Sequence, residues 1–494
     1  MPYRVAALTL ALILAGCAVG PNYDKPPSVD TPVAFKEGQG AWVPAVPADT
    51  LERGPWWQLF NDPVLNDLAS RVEVSNQNIA AAVAAYAQAR ALVAEQRASL
   101  LPTVTLGAGA DRSGGRSRAE SNSYQVSLGA SWEPDLFGRL RRGITSATAG
   151  EQASAADLAA AKLAVQGELA VNYFNLRQQD AQRALLAQTI TGYQRGLQIT
   201  NNRYTAGIVA RTDVLQAETQ LTNAQAEQLG LERQRAQLEH AIAVLVGQAP
   251  GNFALAPQVN VVLPAPVNMS VNAQPVPGAR PAASAAAAAS AGIAQATVPD
   301  VPIEVPSTLL QRRPDIASAE RRVAQANEQI GIAQTAYYPS FSLSGSAGLG
   351  AARIGDLFSA SSLVWGLGLS LGQTLFSGGA RAAQVEGARA GFDQAVANYR
   401  QTVLAAFQQV EDQLVASRIL AQQLTLRQQA SRAADQVEQQ VLNRYQAGQV
   451  SFTEVINAQA TAQSARRNLI QLQSDRQVAA VTLIQALGGG WRAN

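Results

Sequence analysis

The sequence predicts a mainly α-helical chain in which one helical unit occurs twice, each time interrupted by a pair of amphipathic strands. Three observations lead to this fold class. Two long windows without proline are rich in helix formers, four segments alternate strictly between apolar and small or polar residues, and the second half of the 494-residue chain repeats motifs of the first. Together they indicate paired helices with strand hairpins between them.

The first residues have the layout of a lipoprotein signal. Arg4 precedes an apolar run, 5–14, that is too short to span a bilayer as a helix, and Leu14-Ala15-Gly16-Cys17 ends it. Cys17 is the only cysteine, and its thiol can take up a diacylglyceryl group. An ordinary signal peptide with an incidental cysteine is the alternative. We expect residues 1–16 to be removed and a covalent lipid on Cys17 to hold the chain to a membrane. Ala18, next to the lipidation site, is not Asp, and in lipoproteins of this kind that absence permits delivery to the outer membrane.

Composition excludes several classes of function. Lys and Arg number 38 against 36 Asp and Glu, a net charge of +2 with no basic tract, so nucleic acid is not an expected partner. One Cys and one His are too few to form a Cys/His metal cluster, so no metal site is predicted. His240 stands without a nucleophile or carboxylate in a triad-like arrangement. We therefore predict no catalytic residues, no enzyme activity and no cofactor beyond the lipid.

The helices are read from proline-free stretches of Ala, Gln, Leu, Glu and Arg, with apolar residues at heptad spacing. No proline occurs between Pro134 and Pro250 or after Pro339. Two of the helices would each be on the order of 100 Å long. The predicted ranges are 64–99, 139–205, 210–247, 307–336, 378–446 and 451–487.

Four segments change to strand periodicity. Each has one apolar face and one small or polar face, a length suited to a tilted membrane strand, and the soluble half-buried sheet is the alternative. Four strands cannot close a barrel, so strands in a membrane would require several chains to share one. The strands are predicted at 104–110, 124–132, 341–349 and 363–371, with loops at 111–122 and 350–360.

An internal duplication orders these elements. Arg203-Tyr204-Thr205-Ala206-Gly207 matches Arg444-Tyr445-Gln446-Ala447-Gly448 at an offset of 241 residues, from 203 to 444. Pro102 matches Pro339 at an offset of 237, just before the first strand of each pair. The predicted organisation is a signal peptide (1–16), a lipidated extended segment (17–63), a first repeat (64–249), a Pro- and Ala-rich linker (250–306), a second repeat (307–488) and a tail (489–494).

The turns after Gly207 and Gly448 are predicted to be tips of helix hairpins. Glycine suits the left-handed cap, and Arg203 and Arg444 lie near the negative helix ends. In a rotationally symmetric oligomer, one acidic residue at such a tip becomes a ring that attracts cations and narrows an opening.

At this point the chain resembles a known family, the TolC-like outer-membrane factors, and within it the NodT-like lipoprotein branch that serves resistance-nodulation-division (RND) efflux systems. The motifs occur in order along nearly the whole chain. They are the lipobox at Cys17, Gly54-Pro55-Trp56-Trp57, Trp132-Glu133-Pro134-Asp135-Leu136-Phe137-Gly138, Leu310-Gln311-Arg312-Arg313-Pro314-Asp315-Ile316 and Ala486-Leu487-Gly488-Gly489-Gly490-Trp491.

The resemblance implies a homotrimer with a shared twelve-stranded β-barrel in the outer membrane of a Gram-negative bacterium and a helical α-barrel across the periplasm. It implies a passive exit duct for small molecules such as drugs, fed by a periplasmic adaptor protein and an inner-membrane RND transporter. A duct for type I protein secretion is the alternative, and a periplasmic coiled-coil scaffold is a third. The cargo is not readable from the sequence. The stretch 264–302 is longer than the family usually has there.

The resemblance also implies a gate. The family carries gating Asp residues at the start of the last helix, and the matching positions here are Glu454 and Asn457, with Asp213 as the first-repeat counterpart. For Glu454 the alternative is a capping box, Ser451-Phe452-Thr453-Glu454, in which Glu454 only satisfies a backbone donor. For Asp213 the alternative is simple complementation of the helix dipole.

Overall fold

A computed structural model describes residues 19–25, 29–32, 34–38, 54–116, 118–258, 298, 312–359 and 362–489. The predicted signal at 1–16, Cys17 and most of the Pro- and Ala-rich stretch 264–302 lie outside the described residues.

The predicted fold class, mainly helical with four antiparallel strands, is confirmed. Single 3₁₀ turns occur at Trp56–Phe60, Pro250–Asn252 and Ile354–Asp356. The helices are α1 (Pro63–Ser75), α2 (Gln77–Ala98), α3 (Arg139–Thr205), α4 (Arg211–Leu245), α5 (Pro314–Thr335), α6 (Ala380–Gln446) and α7 (Phe452–Ala486). The strands are β1 (Thr103–Gly115), β2 (Arg118–Trp132), β3 (Ser340–Ala351) and β4 (Leu363–Gly372).

The single helix predicted at 64–99 is wrong, because it is broken at Asn76. Asn76 has an extended backbone, and its side-chain oxygen accepts from the backbone N–H groups of Asn78 and Ile79 at 2.9 and 3.1 Å, which caps α2. Its amide nitrogen donates to the carbonyl of Leu245 at 2.8 Å. A buried side chain that caps the start of α2 and binds the carbonyl of the last residue of α4 stabilises the break, and helix propensity alone does not reveal it.

One predicted helix start is too early, and another lies outside the described residues. Helix α5 begins at Pro314, where a missing N–H costs nothing, and the start predicted at 307 falls outside the described part of the chain. Helix α6 begins at Ala380 and not at 378, because Gly378 and Gly379 have φ angles of +58° and +90° that no right-handed helix contains. The bounds of α3 are the predicted ones. Of the helices in the described ranges, none is both long and apolar enough to cross a membrane.

The four strands form one antiparallel sheet in the order β1-β2-β3-β4. The loop predicted at 111–122 is wrong, since the β1–β2 ladder continues through Asp111↔Ser123 to Ser113↔Ser121. Backbone pairing does not depend on apolar side chains. Here the ladder is reinforced across strands by an Arg112–Glu120 ion pair and by a Ser113–Ser121 hydroxyl contact of 2.9 Å.

The chain divides into two compact units. One contains the four strands and comprises Met1–Asp30, Ala82–Ala159 and Pro314–Leu404; we refer to it as the strand unit. The other contains α1, α4, α7 and the remaining parts of α3 and α6, and comprises Thr31–Ala81, Ala160–Arg313 and Ala405–Asn494; we refer to it as the hairpin unit.

Aromatic side chains fill one end of the core of the hairpin unit. Trp56 is fully buried and donates from Nε1 to the Oε1 of Gln166 at 3.3 Å. The Tyr173 hydroxyl donates to the Oδ2 of Asp62 at 2.6 Å, and the other oxygen of Asp62 caps α1 through Val64 and Leu65. The motif Trp56-Trp57 with Asp62 thus fixes the start of the first repeat on α3.

Candidate functional site

The sheet of the strand unit has one exposed apolar face. Trp365, Leu367 and Leu369 of β4 retain 71, 79 and 73% of their surface, although they are large hydrophobic side chains. The cross-strand register places Leu343 of β3 opposite Leu369, on the same face. An apolar face of this extent on a folded chain is a surface for lipid or for a partner.

The opposite face is built from small and polar residues. Ser342 and Ser370 meet across β3 and β4 with their hydroxyl oxygens 2.6 Å apart. A Cβ placed on Gly368 would lie 2.9 Å from the Ser344 hydroxyl, so a larger residue at this position would have to displace that hydroxyl. Strict alternation therefore gives the sheet a lipid-like side and a water-compatible side, as the sequence predicts.

Both edges of the sheet are open within the described chain. Strands β1 and β4 are the outer strands, and each pairs on one side only. Unpaired backbone groups are not tolerated in a bilayer, so this sheet cannot enter lipid as a single four-stranded piece.

The segment after the predicted lipidation site is held in the strand unit. The backbone N–H of Val19 donates to the carbonyl of Phe137 at 3.2 Å, and the Nε of Arg142 donates to the carbonyl of Val19 at 2.6 Å. Arg142 also pairs with Glu328 at 2.7 Å, with both side chains nearly buried. The chain that follows Cys17 is therefore fixed beside the connection between β2 and α3.

The two helix-hairpin tips have the same backbone. In the first tip, between α3 and α4, Gly207 has a φ of +75°, and the N–H of Ile208 donates to the carbonyl of Arg203 at 2.8 Å. In the second tip, between α6 and α7, Gly448 also has a φ of +75°, and the N–H of Gln449 donates to the carbonyl of Arg444 at 2.9 Å. Both are Schellman caps, which the sequence predicts.

An aromatic cluster stabilises the second tip. The rings of Tyr445 and Phe452 lie 5.5 Å apart and are buried with Leu442, Val455 and Ala217. The guanidinium of Arg203, from the first tip, lies 4.8 Å above the Tyr445 ring. The sequence places Arg203 at a helix end but does not predict this stacking contact. A motif that occurs twice does not show that the arginine of one occurrence contacts the tyrosine of the other.

The predicted gate residues Asp213 and Glu454 lie in the first turns of α4 and α7, and Asn457 lies in the second turn of α7. Glu454 and Asn457 are exposed one helical turn apart, beside a groove lined by Ala434, Val437 and Val441 of α6. Asp213 is half-buried in the first turn of α4. The structure thus brings Glu454 and Asn457 together on one surface and places Asp213 at the other tip.

The capping box proposed for Glu454 is not formed as predicted. Ser451 has the extended backbone of an N-cap residue, but its side chain makes no cap hydrogen bond, and the N–H of Glu454 donates to the Ser451 carbonyl at 3.2 Å. A capping box needs the serine hydroxyl on that N–H, and the backbone carbonyl occupies it instead. Glu454 itself is exposed.

A charged cluster connects α6 and α7 above the second tip. Arg466 of α7 contacts Asp435 and Glu438 of α6, each with an N–O distance of 2.7 Å. Burial raises the pKa of Glu438, and the opposing effect of Arg466 is smaller. No group of His, Cys, Asp and Glu side chains able to hold a metal ion occurs among the described residues.

Long helices and four antiparallel strands are shared with solved outer-membrane channels. The family model described as outer membrane efflux protein matches residues 68–248 and 305–489, which are the two repeats. The chain belongs to this outer membrane efflux protein family, whose members are channels and not enzymes.

Similarity to individual proteins extends over the whole length. The probable efflux pump outer membrane protein TtgC of Pseudomonas putida is 30% identical, covering 97% of this chain and 94% of that protein. The cation efflux system protein CusC of Escherichia coli is 26% identical, covering 99% of both. The solved outer-membrane channel OprN superposes with a TM-score of 0.80 at 28% identity, covering 96% of this chain and 100% of that one. The resemblance inferred from the motifs is confirmed, as is an outer-membrane location.

Proposed function

We propose that this chain is the outer-membrane duct of a tripartite efflux pump, a passive exit for small molecules that catalyses nothing itself. The sheet carries the proposal. Its apolar face fits a bilayer, its other face is small and polar, and its two open edges require further copies of the chain. We propose a homotrimer in which the strands of three chains complete one closed sheet.

The partners follow from the direction of transport. We propose that a periplasmic adaptor and an inner-membrane RND transporter load the duct at the helix tips. The Schellman-capped tips support this assignment, because they present ordered, exposed turns. One relative, from Pseudomonas putida, is named a toluene efflux pump outer membrane protein, and CusC is named a cation efflux system protein, so we assign cargo selection to the pump.

Membrane insertion and efflux test the proposal together in a Gram-negative strain deprived of its own efflux channel. Leu369→Arg places a charge on the apolar face, whereas Ser370→Arg places the same charge on the polar face one residue away. We expect Leu369→Arg to lose outer-membrane assembly and to raise accumulation of a lipophilic dye, and Ser370→Arg to assemble normally. Equal assembly of both variants contradicts the membrane role of this face. Unchanged dye accumulation on deletion of the chain, with loss of an exported protein, would replace efflux by type I secretion.

Glu454 is proposed to gate the channel, with Asn457 and Asp213 as further residues of the gate. Its support is the exposed position of Glu454 and the absence of the serine half of the capping box. Glu454→Gln should raise single-channel conductance and lower cation preference in planar bilayers, while Thr453→Val, an exposed neighbour, serves as control. A lowered thermal midpoint with unchanged conductance would leave Glu454 a purely structural role.

We propose that Cys17 is lipidated. The support is the lipobox sequence and the hydrogen bond that fixes Val19 beside Phe137. Cys17→Ala should abolish incorporation of radiolabelled palmitate, and labelling equal to that of the parent chain would remove the lipobox assignment. Ala18→Ser is the matched control, because it keeps the thiol.

A further inference from the structure

The strand unit contains an open groove beside the chain that follows Cys17. It has a volume of about 660 Å³ and lies between the end of α5 and the first turns of α6. Val19 lines it, together with Tyr337 and Tyr338, which come just before β3. The two tyrosines keep 45 and 44% of their surface. The groove is large enough for a small molecule or for the polar head of a larger one.

Side-chain contacts fix the walls of this groove. The guanidinium of Arg381, in the first turn of α6, lies 5.2 Å from the centre of the Tyr337 ring. The rings of Tyr338 and Phe137 lie 4.8 Å apart, and the backbone N–H of Val19 donates to the carbonyl of Phe137 at 3.2 Å. The groove is therefore formed within the chain before any ligand binds.

One acidic and one basic side chain line the groove without pairing. Glu386 and Arg389 of α6 are exposed and lie three residues apart, so they are neighbours on one face of the helix. Neither forms an ion pair or a side-chain hydrogen bond with another residue in the described part of the chain. Two free charges of opposite sign in one groove match a ligand that itself carries both signs.

Apolar surface begins at the same end of the sheet. Phe341 of β3 lies opposite Leu371 of β4, on the exposed apolar face, within a few residues of the tyrosines. Leu375 and Phe376, in the connection from β4 to α6, keep 87 and 88% of their surface. A ligand that fills the groove and also covers this surface needs a charged head and an apolar tail.

The first repeat has an equivalent place without these polar groups. Two leucines stand where the second repeat has the tyrosines, and two threonines stand where it has the acid and the base. They are Leu100 and Leu101, at an offset of 237 residues, and Thr145 and Thr148, at an offset of 241. Because the first repeat makes the same passage from sheet to helix without a charged pair, folding does not require Glu386 and Arg389.

We propose that this groove binds one phospholipid with a phosphoethanolamine headgroup at the edge of the outer membrane. The phosphate accepts hydrogen bonds from Arg389, the ammonium donates to Glu386, and the acyl chains lie on the apolar surface. Tyr337 and Tyr338 lie at the boundary between head and chains, as amphipathic rings do at membrane interfaces.

The pair of charges distinguishes this headgroup from two similar ones. The quaternary ammonium of phosphocholine has no N–H to donate to Glu386, and phosphoglycerol has no cation at all. Both can still offer a phosphate to Arg389. The groove should therefore prefer phosphatidylethanolamine over phosphatidylcholine and phosphatidylglycerol, and Glu386 should set that preference.

Competition between lipids, measured by native mass spectrometry, tests this assignment. The detergent-solubilised full chain is incubated with equal amounts of phosphatidylethanolamine, phosphatidylcholine and phosphatidylglycerol that carry the same acyl chains. Phosphatidylethanolamine should be retained about fivefold over either competitor, the size of one charge-assisted hydrogen bond. Equal retention of the three lipids by the parent chain overturns the proposal.

Two variants separate the head contacts. Glu386→Gln should bring the ratio of phosphatidylethanolamine to phosphatidylglycerol close to one, whereas Arg389→Gln should lower retention of all three lipids. Asp393→Asn and Arg400→Gln, exposed charges of α6 outside the groove, are the matched controls and should keep the parent ratios. Parent ratios and retention in both groove variants contradict the assignment of the two charges.

A soluble headgroup distinguishes a lipid from a free phosphate compound. Phosphoethanolamine without acyl chains, added at the concentration of the lipid, should leave bound phosphatidylethanolamine in place, because it cannot cover the apolar surface beside the groove. Displacement of the lipid by phosphoethanolamine or by inorganic phosphate would show that the groove takes a small soluble ligand, and it would overturn the lipid as occupant.

Discussion

The two helix-hairpin tips share one backbone and differ in what surrounds it. Gly207 and Gly448 have the same φ of +75°, and both turns close with the same hydrogen-bond pattern. Yet Tyr204 in the first tip is 40% exposed, whereas its equivalent Tyr445 in the second is 7% exposed. Within a single chain, the turn chemistry, which is local, is the same in both tips, and the packing around it differs. Within the chain, the second tip is therefore the more tightly packed of the two, and Glu454 lies next to it.

The largest expected effect comes from removing the ring that stabilises the second tip. Phe452→Ala should cost about 3–4 kcal/mol, because it leaves a cavity beside Tyr445 and Val455. The equivalent position in the first tip is Arg211, which is exposed, and Arg211→Ala should stay within about 0.5 kcal/mol. Denaturant titration of the detergent-solubilised protein, with hydrogen exchange at the tip amides, measures both.

Equal losses for the two variants would contradict the comparison, since they would show that the first tip is packed as firmly as the second. Leu442→Ala, another buried position in the same cluster, provides a second measurement of the cavity cost.

A medium effect of equal size is expected at the two glycines. A Cβ at either position would meet no atom within 4 Å, so the cost of alanine is that of the left-handed backbone alone. Gly207→Ala and Gly448→Ala should therefore each lose about 1–2 kcal/mol, despite their different surroundings. Unequal losses measured by the same titration would show that packing, and not the turn, sets the requirement for glycine.

These contrasts show which parts of the molecule follow from the sequence. The glycine caps, the bounds of α3 and the alternation of β4 are local properties, and each was predicted correctly. The break at Asn76 was missed because its capping partner, the carbonyl of Leu245, lies 169 residues away in the chain. The continuation of β1 past Asp111 was missed because a ladder depends on the strand opposite it.

The candidate site divides in the same way. Glu454 and Asn457 lie three residues apart on one helix, so their common surface was readable from the sequence. The Tyr445–Phe452 cluster and the stacking of Arg203 could not be predicted from the sequence. Helical periodicity predicts which face of a helix is buried, but not which element packs against it. The same limit applies to Arg466, whose partners on α6 lie 31 and 28 residues away.

A smaller, pH-dependent effect is expected at the cluster of Arg466, Asp435 and Glu438 in the second hairpin. In the first hairpin the position equivalent to Glu438 is Leu197. Because the pKa of Glu438 is raised by burial, the folded state binds a proton more readily than the unfolded state. This stabilisation is fully present below the unfolded pKa and is lost as pH rises through the folded pKa. Relative to Glu438→Gln, the parent chain should gain thermal stability as pH falls from 7 toward 5. A difference that does not change with pH would contradict the raised pKa, and Leu197→Gln is the control in the other hairpin.

The smallest effect is expected from one hydroxyl at the centre of the second tip. The Tyr445 hydroxyl is buried and has no hydrogen-bond partner among the described residues, although Arg203 covers the face of its ring. Tyr445→Phe keeps the ring and removes only this unsatisfied group, so stability should change by less than about 0.5 kcal/mol or rise slightly. Tyr173→Phe is the matched control, because the Tyr173 hydroxyl donates to Asp62 at 2.6 Å and its loss should cost about 1.5–3 kcal/mol. A loss at Tyr445 equal to that at Tyr173 would mean that the Tyr445 hydroxyl has a partner in the assembled channel, and the second tip would then owe part of its stability to a neighbouring copy.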